Sequence, residues 1–68
     1  MEHNFGIVTP TEWIGLTLEN AKTKAEAQGF THRITEINGN SLIVTMDLKP
    51  NRLNFRIYNN IITDVYTG

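Results

Sequence analysis

Val44-Thr45-Met46-Asp47-Leu48-Lys49-Pro50-Asn51-Arg52-Leu53 is the stretch on which the reading of this 68-residue chain turns. Its first half is β-branched and alternating, as in a strand. Its second half carries Pro50 and Asn51, so the chain has to leave the sheet before Arg52 re-enters it. An extended segment therefore projects Met46 and offers Thr45 and Asp47 as acceptors to the Arg52 guanidinium. Periodicity also allows a second reading. In it, Met46 continues a core face begun by Leu42 and Val44, Lys49-Pro50-Asn51 is an ordinary turn, and Val44 to Phe55 is a plain hairpin.

Downstream of this stretch, Leu53, Phe55 and Ile57 alternate with Arg52, Asn54, Arg56 and Tyr58, the pattern of a one-sided strand. Asn59-Asn60 turns the chain. A three-residue loop, Tyr58 to Asn60, with an asparagine in the left-handed conformation sets Ile57 opposite Ile61 and Phe55 opposite Thr63. Ile61, Thr63 and Val65 then return on one face. Upstream, residues 31–37 form a candidate strand of undecided facing, because Ile34 and Ile37 fall on opposite sides of a period-two pattern. Asn38-Gly39 is a hairpin signal.

The spacing predicts one helix, Thr17 to Gln28, with Thr17 as N-cap, Glu19 in the first turn and Gly29 just past the end. Leu18, Ala21 and Ala25 make its buried stripe, and the two alanines allow close approach to a sheet. Trp13 and Ile14, just before Gly15, are placed to cover the bottom of the core. Met1 to Thr11 is a lead-in, read as a short edge strand ending at Pro10. The expected fold class is α+β. Residues 1–68 make a single domain, with one helix packed on a small three- to four-stranded sheet and a β-meander as the alternative path for residues 42–47. The core face would carry Leu42, Val44, Leu53, Phe55, Ile57 and Val65.

Composition narrows the function classes. Hydrophobic residues are 40% and charged residues 19%, which is globular rather than disordered. There is no cysteine, so neither a disulfide nor a thiolate metal site staples a chain this short, and a homo-oligomer interface is a plausible supplement to the core. The formal net charge of −1 gives no draw toward nucleic acid or an anionic membrane. No apolar run approaches a membrane span, and the start lacks the character of a signal peptide. The expectation is a cytoplasmic, soluble chain, although a mature chain whose signal had been removed would read the same.

Catalytic machinery is not expected. His3 and His32 have no carboxylate or cysteine at ligand spacing, Asp47 and Asp64 form no recognisable pair, and the glycines make no phosphate loop. No metal site and no cofactor are expected. One polar surface stands out: Arg52, Asn54, Arg56 and Tyr58 share a strand face that could hold an anionic ligand or a protein partner. The plainer reading is that they cover the solvent side of a sheet.

The residues at 44–54 resemble the reactive-loop segment of the potato inhibitor I type serine protease inhibitors. They resemble still more closely the related bacterial and fungal peptidase inhibitors, whose pattern runs roughly V-T-M-D-x-R-P-D-R-L-N-V. Trp13, Gly15, Thr17, Glu19 and Ala21 resemble the opening of that domain, Arg33-Ile34 its first strand, and Val65 to Gly68 its end. The resemblance implies a helix on a small mixed sheet and a serine protease as partner. A convex loop, Val44, Thr45, Met46, Asp47 and Leu48, would bind the protease as a substrate does. It implies Met46-Asp47 as the scissile bond, with Thr45 and Asp47 supported by Arg52. The potato type carries a second supporting arginine where this chain has Asn54, and the bacterial type shares the asparagine. Two further departures are a longer segment between Arg33 and Met46 and the absence of terminal cysteines, which fits a cytoplasmic relative.

Overall fold

The computed structural model describes residues 8–68. Residues 1–7, with Phe5 and Ile7 of the expected edge strand and His3, lie outside them. Pro10 does not end a strand. It opens a short 3-10 turn, Pro10–Glu12, and the chain then buries Trp13 to 2% exposure while Ile14 turns out to solvent. One side chain, not two, therefore covers the bottom of the core.

Helix α1 runs Leu18–Ala27, and the Thr17 side chain accepts from the Asn20 backbone N–H as an N-cap should. Gly29 follows with φ of 83°, the left-handed residue that closes a helix. Ala21 and Ala25 are wholly buried and Leu18 is half-buried against the same core. Trp13 packs on Phe30 and Phe55 at ring-centroid distances of 6.4 and 5.9 Å, with the Lys24 ammonium 4.8 Å above the indole.

Four strands follow: β1 Thr31–Ile37, β2 Asn40–Ser41, β3 Arg52–Tyr58 and β4 Ile61–Thr67. They form one mixed sheet in the order β2-β1-β3-β4, with β1 parallel to β3 and the other pairs antiparallel. The fold is α+β, with one helix on a four-stranded sheet. The core is Trp13, Ala21, Ala25, Phe30, Leu53, Phe55, Ile57, Ile62 and Val65. Leu42 and Val44 do not belong to the core face, because β2 ends at Ser41 and the chain leaves the sheet there.

Two threonines break the period-two reading. In β1, Ile34 pairs with Phe55 and Glu36 with Arg56, so Thr35 is an extra residue, a β-bulge. The bulge brings Ile34 and Ile37 to the same face, and both pack on the core. In β4, Ile62 pairs with Ile57 and Asp64 with Arg56, leaving Thr63 extra. Ile62 and Val65 are therefore the buried pair, in place of the expected Ile61, Thr63 and Val65.

The β3–β4 turn is also shorter than expected. Tyr58 pairs with Ile61 across a two-residue loop in which Asn59 and Asn60 both have positive φ, 49° and 68°. Two left-handed residues match the twist of a hairpin, and the Thr63 bulge restores the side-chain phase that a two-residue loop would otherwise invert.

Candidate functional site: the loop between β2 and β3

The parallel pairing of β1 with β3 explains why a loop projects. After β2, the chain stands level with Glu36, yet β3 must begin beside Thr31. That return is roughly 16 Å at strand rise, while residues 42–51 can span about 33 Å when extended. The slack is carried away from the sheet. A backbone bond from Leu42 N–H to Thr35 C=O, at 2.9 Å, is the last backbone bond to β1 before the loop, and Asn51 C=O, accepting from Thr31 N–H at 2.9 Å, is the first after it. The chain re-enters through a turn closed by Arg52 N–H to Lys49 C=O at 3.1 Å, with Pro50 at the position where its fixed φ suits a turn. Among the described residues no ladder pairs residues 42–51. Met46 is 91% exposed and Leu48 84%. Met46 is presented on a loop, not paired in a hairpin.

Two arginines hold that loop, from two different strands. Arg33 of β1 donates from Nη1 to the Thr45 carbonyl at 3.1 Å and to Thr45 Oγ1 at 3.2 Å. Arg52 of β3 donates from Nη2 to the Asp47 carbonyl at 2.8 Å, and its Nη1 lies 3.6 Å from the Asp47 carboxylate. The Thr45 hydroxyl donates in turn to Asp47 Oδ1, closing a bridge across Met46. Thr45 is thus supported by Arg33 rather than by Arg52. No local pattern marks this contact: Arg33 is twelve positions before Thr45 and meets it only through the parallel pairing.

Behind the loop lies a buried polar layer. Asn54 is wholly buried; its Oδ1 accepts from Arg33 Nε, and its Nδ2 donates to the Tyr66 and Gly68 carbonyls at 3.3 and 3.2 Å. Arg52 Nε donates to the Gly68 carbonyl at 2.8 Å, so the end of β4 is tied into the same layer. Among the described residues no buried side-chain nitrogen or oxygen lacks a partner. A fully satisfied network of this kind rigidifies what it touches.

The Asp47 carboxyl is held below its usual range, chiefly by the bond from Thr45 and then by the Arg52 and Lys49 charges. It is ionised at neutral pH, which the arginine brace requires.

The strand face expected as an alternative ligand surface is divided by the same layer. Arg52 and Asn54 are buried and engaged, so they are not open to a ligand. Arg56 and Tyr58 are exposed, and Arg56 lies 3.6 Å from Asp64 and 5.6 Å from the Tyr66 ring centroid. Among the described residues no three His, Cys, Asp or Glu side chains are grouped to hold a metal ion, and no helix is long and apolar enough to cross a membrane. Comparison of the chain with protein-family models, with curated proteins and with solved structures finds no match.

Proposed function

We propose that the protein is a serine protease inhibitor that offers Met46-Asp47 to the protease as a substrate-like bond. The observation that carries this reading is the position of Met46. It is the exposed residue between two neighbours, each tied to its own arginine. A loop already held in shape loses little conformational entropy on docking, so more of the contact energy appears as affinity. The methionine suits an apolar primary pocket better than one lined by a carboxylate.

The braces divide at the scissile bond. Thr45 and Arg33 both precede it; Asp47 and Arg52 both follow it. When a protease serine attacks the Met46 carbonyl, the Asp47 amine is the leaving group. Asp47 remains fixed through its carbonyl and carboxylate to Arg52, whose strand stays paired with β1. The amine therefore stays beside the acyl-enzyme, and religation competes with attack by water.

The test is titration of subtilisin and chymotrypsin with the purified protein. Stoichiometric inhibition at micromolar concentration or below is expected, with a large loss in Met46→Asp. Wild type and Met46→Asp equally inert against both enzymes would overturn the reading.

A further inference from the structure

Asn38 is the one asparagine of this chain that a glycine follows. The pair makes the two-residue turn between β1 and β2, across which Ile37 pairs with Asn40. Both residues hold positive φ, 50° and 85°, and both are exposed. A Cβ built on Gly39 would meet nothing within 4 Å, so the space around this residue is open to water and base. Glycine also has no side chain to shield its own nitrogen. The side-chain amide carbon of Asn38, an electrophile, thus stands one residue from an unhindered backbone nucleophile.

Two hydrogen bonds hold Asn38 against the neighbouring turn. Its N–H donates to the Ile57 carbonyl at 2.9 Å, and its Oδ1 accepts from Asn59 N–H at 2.7 Å. Opening this contact is a local event, because β2 contributes only two residue pairs at the edge of the sheet. We infer that Asn38 is a self-modification site, gated by the contact between the β1–β2 and β3–β4 turns. In the opened turn the Gly39 nitrogen gives its proton to hydroxide and bonds to Asn38 Cγ. The Cγ–Nδ2 bond breaks, and Nδ2 leaves as ammonia with a proton from water. The cyclic imide then takes up one water. Opening at Cγ leaves aspartate, and opening at the Asn38 backbone carbonyl leaves isoaspartate.

The two products differ in what they keep. Aspartate retains an acceptor for Asn59 N–H, now charged and therefore stronger. Isoaspartate lengthens the backbone by one carbon inside the turn. That disrupts the pairing of Ile37 with Asn40 and the bond from Leu42 N–H to Thr35. The modification therefore loosens the strand from which the exposed loop departs.

The experiment incubates the full chain in mildly alkaline buffer, with and without urea. Intact mass and peptide mapping follow asparagine, aspartate and isoaspartate. Conversion should come first at Asn38, slow as the buffer is made acidic, and be absent at that position in Asn38→Gln. Two hydrogen bonds of ordinary net strength close the site, so the folded chain should convert about 5- to 30-fold slower than the unfolded one. Leu42 N–H should exchange faster in the isoaspartate product than in the unmodified chain, and at an unchanged rate in Asn38→Asp. Equal rates with and without urea, or conversion first at another asparagine of the folded chain, would overturn the inference. So would a folded chain still unmodified at Asn38 after about 100 half-lives of the unfolded chain, since the turn would then never open. Unchanged Leu42 exchange in the isoaspartate product would overturn the loosening of β2. Neither result depends on the inhibitor reading.

Discussion

Arg33 and Asn54 face each other as register partners on the parallel strands β1 and β3, and Arg33 Nε donates to Asn54 Oδ1. This one bond aims the guanidinium, leaving Nη1 to reach the Thr45 carbonyl and hydroxyl. It also explains the asparagine. An arginine at position 54 would set two cations side by side on neighbouring strands, which is unfavourable. The neutral acceptor on β3 and the cation on β1 are a matched pair.

Arg33→Met tests that pairing. The methionine keeps the aliphatic stem but strips the donors from Thr45 and from the wholly buried Asn54 Oδ1. An orphaned buried acceptor costs about 1–3 kcal/mol, so chemical denaturation should show a loss of that size. On the proposed inhibitor reading, the loop should also become a better substrate, read as faster hydrolysis at Met46-Asp47 during incubation with subtilisin. Unchanged stability and unchanged hydrolysis would count against the brace.

Arg52→Met should affect the other side of the bond. Arg52 holds the Asp47 carbonyl, the Asp47 carboxylate and the Gly68 carbonyl. On the proposed inhibitor reading, its loss frees the leaving-side residue, so religation should fail and inhibition should become transient. Backbone order parameters separate the two variants. Arg52→Met should lower them at residues 47–49 and near Gly68, whereas Arg33→Met should lower them at residues 44–46. The same pattern in both variants would mean that the loop responds as one unit.

Much of this architecture is legible in the chain, and the exceptions share a cause. Thr17, Gly29, Asn38-Gly39 and the alternation of Leu53, Phe55 and Ile57 act through local geometry, and each takes its expected place. Arg33, the Thr35 and Thr63 bulges and the burial of Asn54 depend on which strand lies beside which. A parallel pairing between β1 and β3 leaves no local mark. A usable signal was present. Ile34 and Ile37, and again Ile62 and Val65, stand three apart within strands, a spacing that shares a face only across a bulge.

Asp47 gives the loop a predictable response to pH. Its folded pKa is lowered, first by the Thr45 bond and then by Arg52 and Lys49, so the unfolded chain binds the proton more readily. The stabilisation is fully present above the ordinary carboxyl value of 3.8 and is lost as pH falls through the lower folded value. Wild type should therefore melt above Asp47→Asn at pH 7, and the difference should shrink as the pH falls below the ordinary carboxyl value. A constant difference across that range would show that Asp47 acts by packing rather than by charge.

The Thr63 bulge makes a sharper claim about register. Because Ile62 already pairs with Ile57 and Asp64 with Arg56, deleting Thr63 leaves every other pair in place. Ile62 and Val65 still face the core. The deletion removes only the bond from Thr63 Oγ1 to the Arg56 carbonyl, at 3.1 Å, and the local kink. Deleting Ile62 instead draws Thr63 into a fully buried position opposite Ile57. The first deletion should cost under about 2 kcal/mol by denaturant unfolding, and the second about 2–5 kcal/mol, enough to unfold a domain this small. Equal losses would mean that β4 does not carry its extra residue at Thr63.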